Sequence, residues 1–156
     1  MSTGRVLAAL ATVLLVVLYA SGSGWLVSTG DSWYRSLEAP PWQPPDAVFG
    51  LIWPYNFVVL IAAGLAVAAH GTPNIRVLWV ACLAASITAA LAWAWLFYEK
   101  HELPAAAIAL SVAAVATAPI VFAAFRTRTW AGIVLVPYQV WVALAASLSF
   151  GYARLN

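Results

Sequence analysis

With 156 residues, 65% of them hydrophobic, 8% charged and a formal net charge of +2, this chain cannot clothe a water-facing surface, because a soluble domain carries about 25% charged residues. That excludes an ordinary soluble domain, and so small a charge excludes a nucleic-acid partner. Lipid is the expected solvent, and at about 20 residues per span the chain holds some five transmembrane helices in one domain. The single cysteine, Cys82, rules out an internal disulfide and reads as a small packed residue among alanines.

The first apolar run spans about 6 to 27. Arg5, the apolar stretch and Ala20-Ser21-Gly22 also fit a secretory signal peptide. Against that, apolar character resumes at Trp25-Leu26-Val27, so a membrane span is the better reading. The patch Ser21-Gly22-Ser23-Gly24 offers small residues where another helix, or the following loop, can approach closely.

That loop is unusual. Trp33-Tyr34 leads to Leu37, then to Pro40-Pro41-Trp42-Gln43-Pro44-Pro45, and the prolines forbid a continuous helix. It is too aromatic for an idle linker, which is normally Gly/Ser-rich or charged. It reads as a lid at the mouth of a helical bundle.

Span two is expected over about 47 to 70, with Asp46 able to cap it and Pro54 bending it beside Trp53. Gly64 and Ala68 form a small-xxx-small pair, and Gly71-Thr72-Pro73-Asn74 is a turn. Span three, about 75 to 98, carries Ala81, Ala85 and Ala89 every four residues, a smooth stripe for helix contact within or between subunits. Trp93, Trp95, Phe97 and Tyr98 crowd its end. They form either an interfacial belt or, for Trp93 and Phe97, an inward face. Span four covers about 104 to 125 with a kink expected at Pro119, and span five about 130 to 152. In span five Pro137 removes the hydrogen bond to the Ile133 carbonyl, and Trp141, Ala145 and Leu148 share one face.

Five spans put the termini on opposite sides. Arg5, Arg76, Arg126 and Arg128 share one side, and Arg35, Lys100, Arg154 and every acid share the other. The positive-inside rule therefore favours an inside N-terminus by one residue, with the lid outside. No carboxylate, lysine or arginine falls within an expected span, which argues against ion-coupled transport. There is no phosphate-binding loop, no Ser/His/Asp set and no metal-ligand spacing. His70 and His101 flank loops and read as solvated residues rather than haem ligands.

Nine tryptophans exceed what membrane anchoring requires. Trp25, Trp79, Trp95 and Trp130 lie near span ends, where a belt explains them, whereas Trp33, Trp42, Trp53 and Trp141 do not suit that role. Aromatic faces with a few polar tips suit a large, flat, apolar ligand.

These residues carry a resemblance. The lid matches W-Y-x-x-L-x-x-P-x-W-x-P-P through Trp33, Tyr34, Leu37, Pro40, Trp42, Pro44 and Pro45, and Phe49 and Trp53 continue it. The last span matches W-A-G-x-x-L-x-P-Y-x-x-W-x-x-x-A-x-x-L through Trp130, Ala131, Gly132, Leu135, Pro137, Tyr138, Trp141, Ala145 and Leu148. The chain thus resembles the translocator protein / tryptophan-rich sensory protein (TspO/MBR) family over nearly its whole length.

The resemblance implies an all-α membrane protein: a five-helix bundle, usually a homodimer, with a cavity closed by the first loop. It implies no obligatory cofactor and a porphyrin, haem, sterol or synthetic aromatic ligand, held by the protein as sensor, regulator or carrier in a bacterial cell membrane. The implied pocket uses Tyr34, Pro44, Trp53, Phe57, Trp93, Trp141, Ala145 and Leu148. Phe57 stands where many members have tyrosine, Ser86 and Ala90 where they have glutamine and asparagine, and Ser149 where asparagine is common, so this pocket is expected to be drier. Some members are linked to light- and oxygen-dependent porphyrin degradation, for which Trp53 and Trp141 are the matching candidates. Leu148, Tyr152 and Arg154 fit a weak cholesterol pattern; the plainer reading is an interfacial tyrosine and a snorkelling arginine.

Overall fold

The computed structural model describes residues 2–156. Five helices are long and apolar enough to cross a membrane, and a sixth, of five residues, sits in the loop after the first. In order they are α1 (Thr3–Leu26), α2 (Ser32–Ser36), α3 (Asp46–His70), α4 (Pro73–Ala94), α5 (Leu103–Thr127) and α6 (Thr129–Leu155). A π-helical turn, Trp95–Glu99, extends α4. The described residues contain no strand.

The helix ends follow local chemistry. Asp31 caps α2 by accepting from the Trp33 amide, and Thr72 caps α4 by accepting from Ile75, with Pro73 at the first helical position. Asp46 does not cap α3 as the sequence suggested. Pro45 holds the cap position, and Asp46 lies in the first turn, where the positive helix end favours an acid.

The long helices form a ring, α1–α4–α5–α6–α3, closed by α3 against α1. Between helices in lipid, association comes from close packing rather than from a hydrophobic drive, so small residues occupy the contacts. Ala63, Ala106, Ala107, Ala113, Ala123, Ala124 and Ala131 are fully buried. A Cβ on Gly22 would lie 2.8 Å from Leu91 Cδ2, so the Ser/Gly patch of α1 is indeed where α4 approaches. Gly64 of α3 faces Thr12 of α1 and Trp79 of α4 with no room for a side chain.

At that three-helix junction Trp79 Nε1 donates to Thr12 Oγ1 at 3.0 Å, and Thr12 Oγ1 donates to the Ala8 carbonyl. Trp79 is therefore not a belt residue. It is 0% exposed, whereas Trp25 is 85% exposed and Trp95 and Trp130 are about half exposed. The Ala81/Ala85/Ala89 stripe faces mostly outward: Ala81 and Ala85 are exposed, and only the half-buried Ala89 packs against the core. The inward face of α4 belongs instead to Trp79, Leu83, Ser86, Ile87 and Ala90.

Candidate functional site

Where α1, α3, α4 and α6 diverge toward the lid, they leave a cavity of about 860 Å³, inside the ~300–1,000 Å³ of small-molecule sites. Each wall follows from helical spacing. Asp46, Phe49, Trp53 and Phe57 recur at three- and four-residue intervals down one face of α3. Trp141, Ala145, Leu148 and Tyr152 do the same on α6, and Tyr19 and Ser23 on α1, with Ala20 beside Tyr19.

The fourth wall needs the π-helical turn. Its widened coil closes with the Lys100 amide on the Trp95 carbonyl, five residues back. This register brings Tyr98 as well as Trp93 and Phe97 to the cavity and leaves Trp95 half exposed, with Lys100 Nζ 4.9 Å from its ring centre. An α-helical continuation would carry residue 98 well round from residue 93. The crowded end of span three is thus mostly inward, and only Trp95 suits a belt.

Aromatic edges set the floor. Tyr19 stands edge-on to Trp53 and Phe57, with centroids 5.7 and 5.5 Å apart, and Phe49 stands edge-on to Trp141 at 5.1 Å. Such pairs fix ring orientation beyond what burial alone does. Trp93 Nε1 donates to Ser149 Oγ at 3.2 Å, so this serine anchors an indole. Ser86 points away from the cavity wall and hydrogen-bonds to Thr117 and to the Ala113 carbonyl. Trp141 is only 6% exposed, and its buried indole N–H has no partner among the described residues. The other buried polar atoms without partners are the Asn56 amide atoms and Gln139 Oε1, neither on a cavity-lining residue.

The lid is held mainly by the last turns of α6. Tyr152 Oη donates to Gln43 Oε1 and lies 3.3 Å from Tyr34 Oη. Trp42 Nε1 donates to Ser147 Oγ at 3.3 Å. The Glu38 amide donates to Asn156 Oδ1 at 2.8 Å, and Asn156 Nδ2 returns a bond to the Glu38 carbonyl. Pro40 and Trp42 rest on Gly151, where a Cβ would lie 2.5 Å from Pro40 Cγ. On the other flank the Trp33 ring stacks on His101, 3.7 Å between centroids. His101 adopts φ 59°, a left-handed backbone that histidine tolerates better than most residues. It is exposed but not an idle loop residue.

Of the residues singled out in the sequence, Tyr34, Leu37, Trp53, Phe57, Trp93, Trp141, Ala145 and Leu148 wall the cavity. Pro44 does not, nor do Trp33, Pro40, Trp42 and Pro45, of which Pro40 is buried against α6. Tyr152 is not an interfacial tyrosine: it is buried, faces the cavity and belongs to the lid clasp, with Leu148 inward beside it and Arg154 exposed. Tyr19, Gln43, Phe49, Phe97 and Tyr98 also line the cavity without having been singled out as site residues. For Phe49, Phe97 and Tyr98 the signal is spacing, four or five residues from a wall residue already named; Tyr19 and Gln43 have no named wall residue so near in the chain. Among the described residues no group of three or more His, Cys, Asp or Glu side chains could hold a metal ion.

Comparison with known proteins agrees with this architecture. Residues 10–155 match the model of the TspO/MBR family. The chain is 30% identical over 148 residues to a tryptophan-rich sensory protein of Cereibacter sphaeroides, covering 91% of each chain. It is 28% identical to protein CrtK of Rhodobacter capsulatus, over 92% of this chain and 91% of that one. It is 26% identical to the human translocator protein, over 86% of this chain and 81% of that one. Five apolar helices, a proline-rich lid and these matches together make the chain an integral, multi-pass membrane protein that belongs to the TspO/MBR family.

Proposed function

We propose that the protein binds a tetrapyrrole such as protoporphyrin IX or haem, or another lipophilic aromatic or sterol-like molecule, under the lid, and acts as a sensor, regulator or carrier. The observation that carries this reading is the unpartnered indole N–H of Trp141 in the wall of an aromatic cavity. A buried donor left unpaired costs about 1–3 kcal/mol, and a ligand carbonyl, carboxylate or ring nitrogen would satisfy it. The names of the relatives, sensory protein and translocator, accord with sensing or carriage. The bacterial origin of several relatives supports a bacterial cell membrane as its location.

The test is a dark titration of the purified protein with protoporphyrin IX, following tryptophan fluorescence. Saturable quenching is expected, and Trp141→Phe should weaken binding by roughly 5- to 150-fold, the range for losing a buried hydrogen bond. Unsaturable quenching, or a variant that binds like the parent, overturns the reading. A second reading, light- and oxygen-dependent porphyrin degradation, is favoured by the presence of Trp53 and Trp141 in one cavity. Illuminating the same complex separates the two: decay of the porphyrin absorption that survives replacement of both tryptophans by phenylalanine removes it.

We also infer a homodimer through the outward stripe of Ala81 and Ala85, which is smooth enough for close helix approach. Ala85→Trp is expected to yield a monomer by mass in detergent. An unchanged mass places the contact elsewhere.

A further inference from the structure

The cavity is graded. Its deep part is aromatic and aliphatic: Tyr19, Trp53, Phe57, Leu110, Trp141 and Val142. Its mouth carries Arg35, Gln43 and Asp46 beside Tyr34 and Tyr152. On α3 the two ends of this gradient are eleven residues apart, Asp46 to Phe57, or about 16 Å at the helical rise. A wholly apolar guest would leave the mouth wet and unmatched. An amphiphile with a flat apolar body and a polar head matches both ends.

Two charged groups line the mouth, and they are not equivalent. Asp46 sits in the first turn of α3, where the positive end of a 25-residue helix already offsets its charge. Arg35 sits in a helix of five residues, too short to supply a matching field. None of the hydrogen bonds that tie the lid to α6 uses its guanidinium; they use Tyr34, Glu38, Trp42, Gln43 and Asn156. A guanidinium offers two parallel donors in the plane that a carboxylate accepts. The remaining charges expected on this side, Asp31, Glu38, Glu99, Lys100, Glu102 and Arg154, do not line the cavity.

Resting on the reading of the cavity as a lipophile site, we propose that Arg35 is a specificity-determining anchor that selects ligands bearing a carboxylate, bound head-outward with the apolar body between Trp53 and Trp141. Asp46 opposes it and limits how many negative charges the mouth accepts. The guest is thus an amphiphilic acid rather than a neutral lipophile.

Protoporphyrin IX and its dimethyl ester share one macrocycle and differ in two carboxylates, which makes them the probes. In detergent at low salt, the parent protein is expected to bind the diacid roughly 3- to 10-fold more tightly than the ester, between the effect of an exposed ion pair and that of a charge-assisted hydrogen bond. Arg35→Gln should erase that preference, and Asp46→Asn should enlarge it. Raising the salt should shrink it in the parent. Equal binding of diacid and ester by the parent, or a preference that survives Arg35→Gln, overturns the anchor while leaving the cavity reading intact. Binding of neither probe overturns both.

Discussion

Replacing Gly151 with leucine is expected to lift the lid from α6 and to speed ligand release without altering a cavity wall. Gly151 is buried in the second-last turn of α6 but does not line the cavity. Pro40 and Trp42 lie directly over it, with Pro40 Cβ and Trp42 Cζ2 each 2.9 Å from where a Cβ would stand. Three prolines of the lid, Pro40, Pro41 and Pro44, stiffen the backbone there and prevent it from flowing around a new side chain. The helix cannot yield either, since its neighbour Tyr152 is locked into the clasp with Gln43 and Tyr34. Overpacking costs about 1–3 kcal/mol. If the cost falls on the closed lid, the closed-to-open ratio drops roughly 5- to 150-fold. Stopped-flow dissociation of protoporphyrin reports it directly, with Gly151→Ala intermediate. Identical release rates in all three proteins would mean that the lid does not gate the cavity.

The second large effect concerns stability. Gly64→Ala should destabilise the bundle even though alanine is the better helix former by about 1 kcal/mol. The new methyl would run into Thr12 Cγ2 and lie 2.9 Å from Trp79 Cζ2. To make room, α1 or the Trp79 ring must shift, which strains the Trp79-to-Thr12 hydrogen bond that joins α4 to α1. Overpacking and a weakened buried bond together outweigh the helix gain, for a net loss of about 1–3 kcal/mol. Thr12→Ser removes Cγ2 and keeps the acceptor, so the double variant should recover part of the loss. Thermal unfolding in detergent is the measurement. A melting temperature at or above that of the parent for Gly64→Ala would contradict the tight junction, as would an absence of rescue.

How much of this was legible beforehand varied with the kind of signal. Span positions agreed with the observed helices to within a few residues, the first beginning at Thr3 rather than near residue 6. Length and apolar run dictate them, because a backbone in lipid must satisfy its own hydrogen bonds. The wall formed by Trp141, Ala145 and Leu148 was equally legible, since one helical face is fixed by spacing alone. Trp79 was misread because its place in the second turn of its helix resembles an interfacial position, and only the partner Thr12, 67 residues away, marks it as core. The outward turn of Ala81 and Ala85 was hidden for a related reason: a stripe of small residues packs equally well on either side of a helix.

Sequence by itself therefore determined the solvent, the number of crossings, the stiff aromatic lid and which rings share a helix face, because each is a property of a single segment. The tertiary structure decided how segments meet. It set the π-helical register that turns Tyr98 inward, the clasp of Tyr152 and Asn156 on the lid, and the pairing of Gly64 with Trp79. Those depend on contacts between residues far apart in the chain, and a one-dimensional pattern holds no record of which distant neighbour leaves a side chain room.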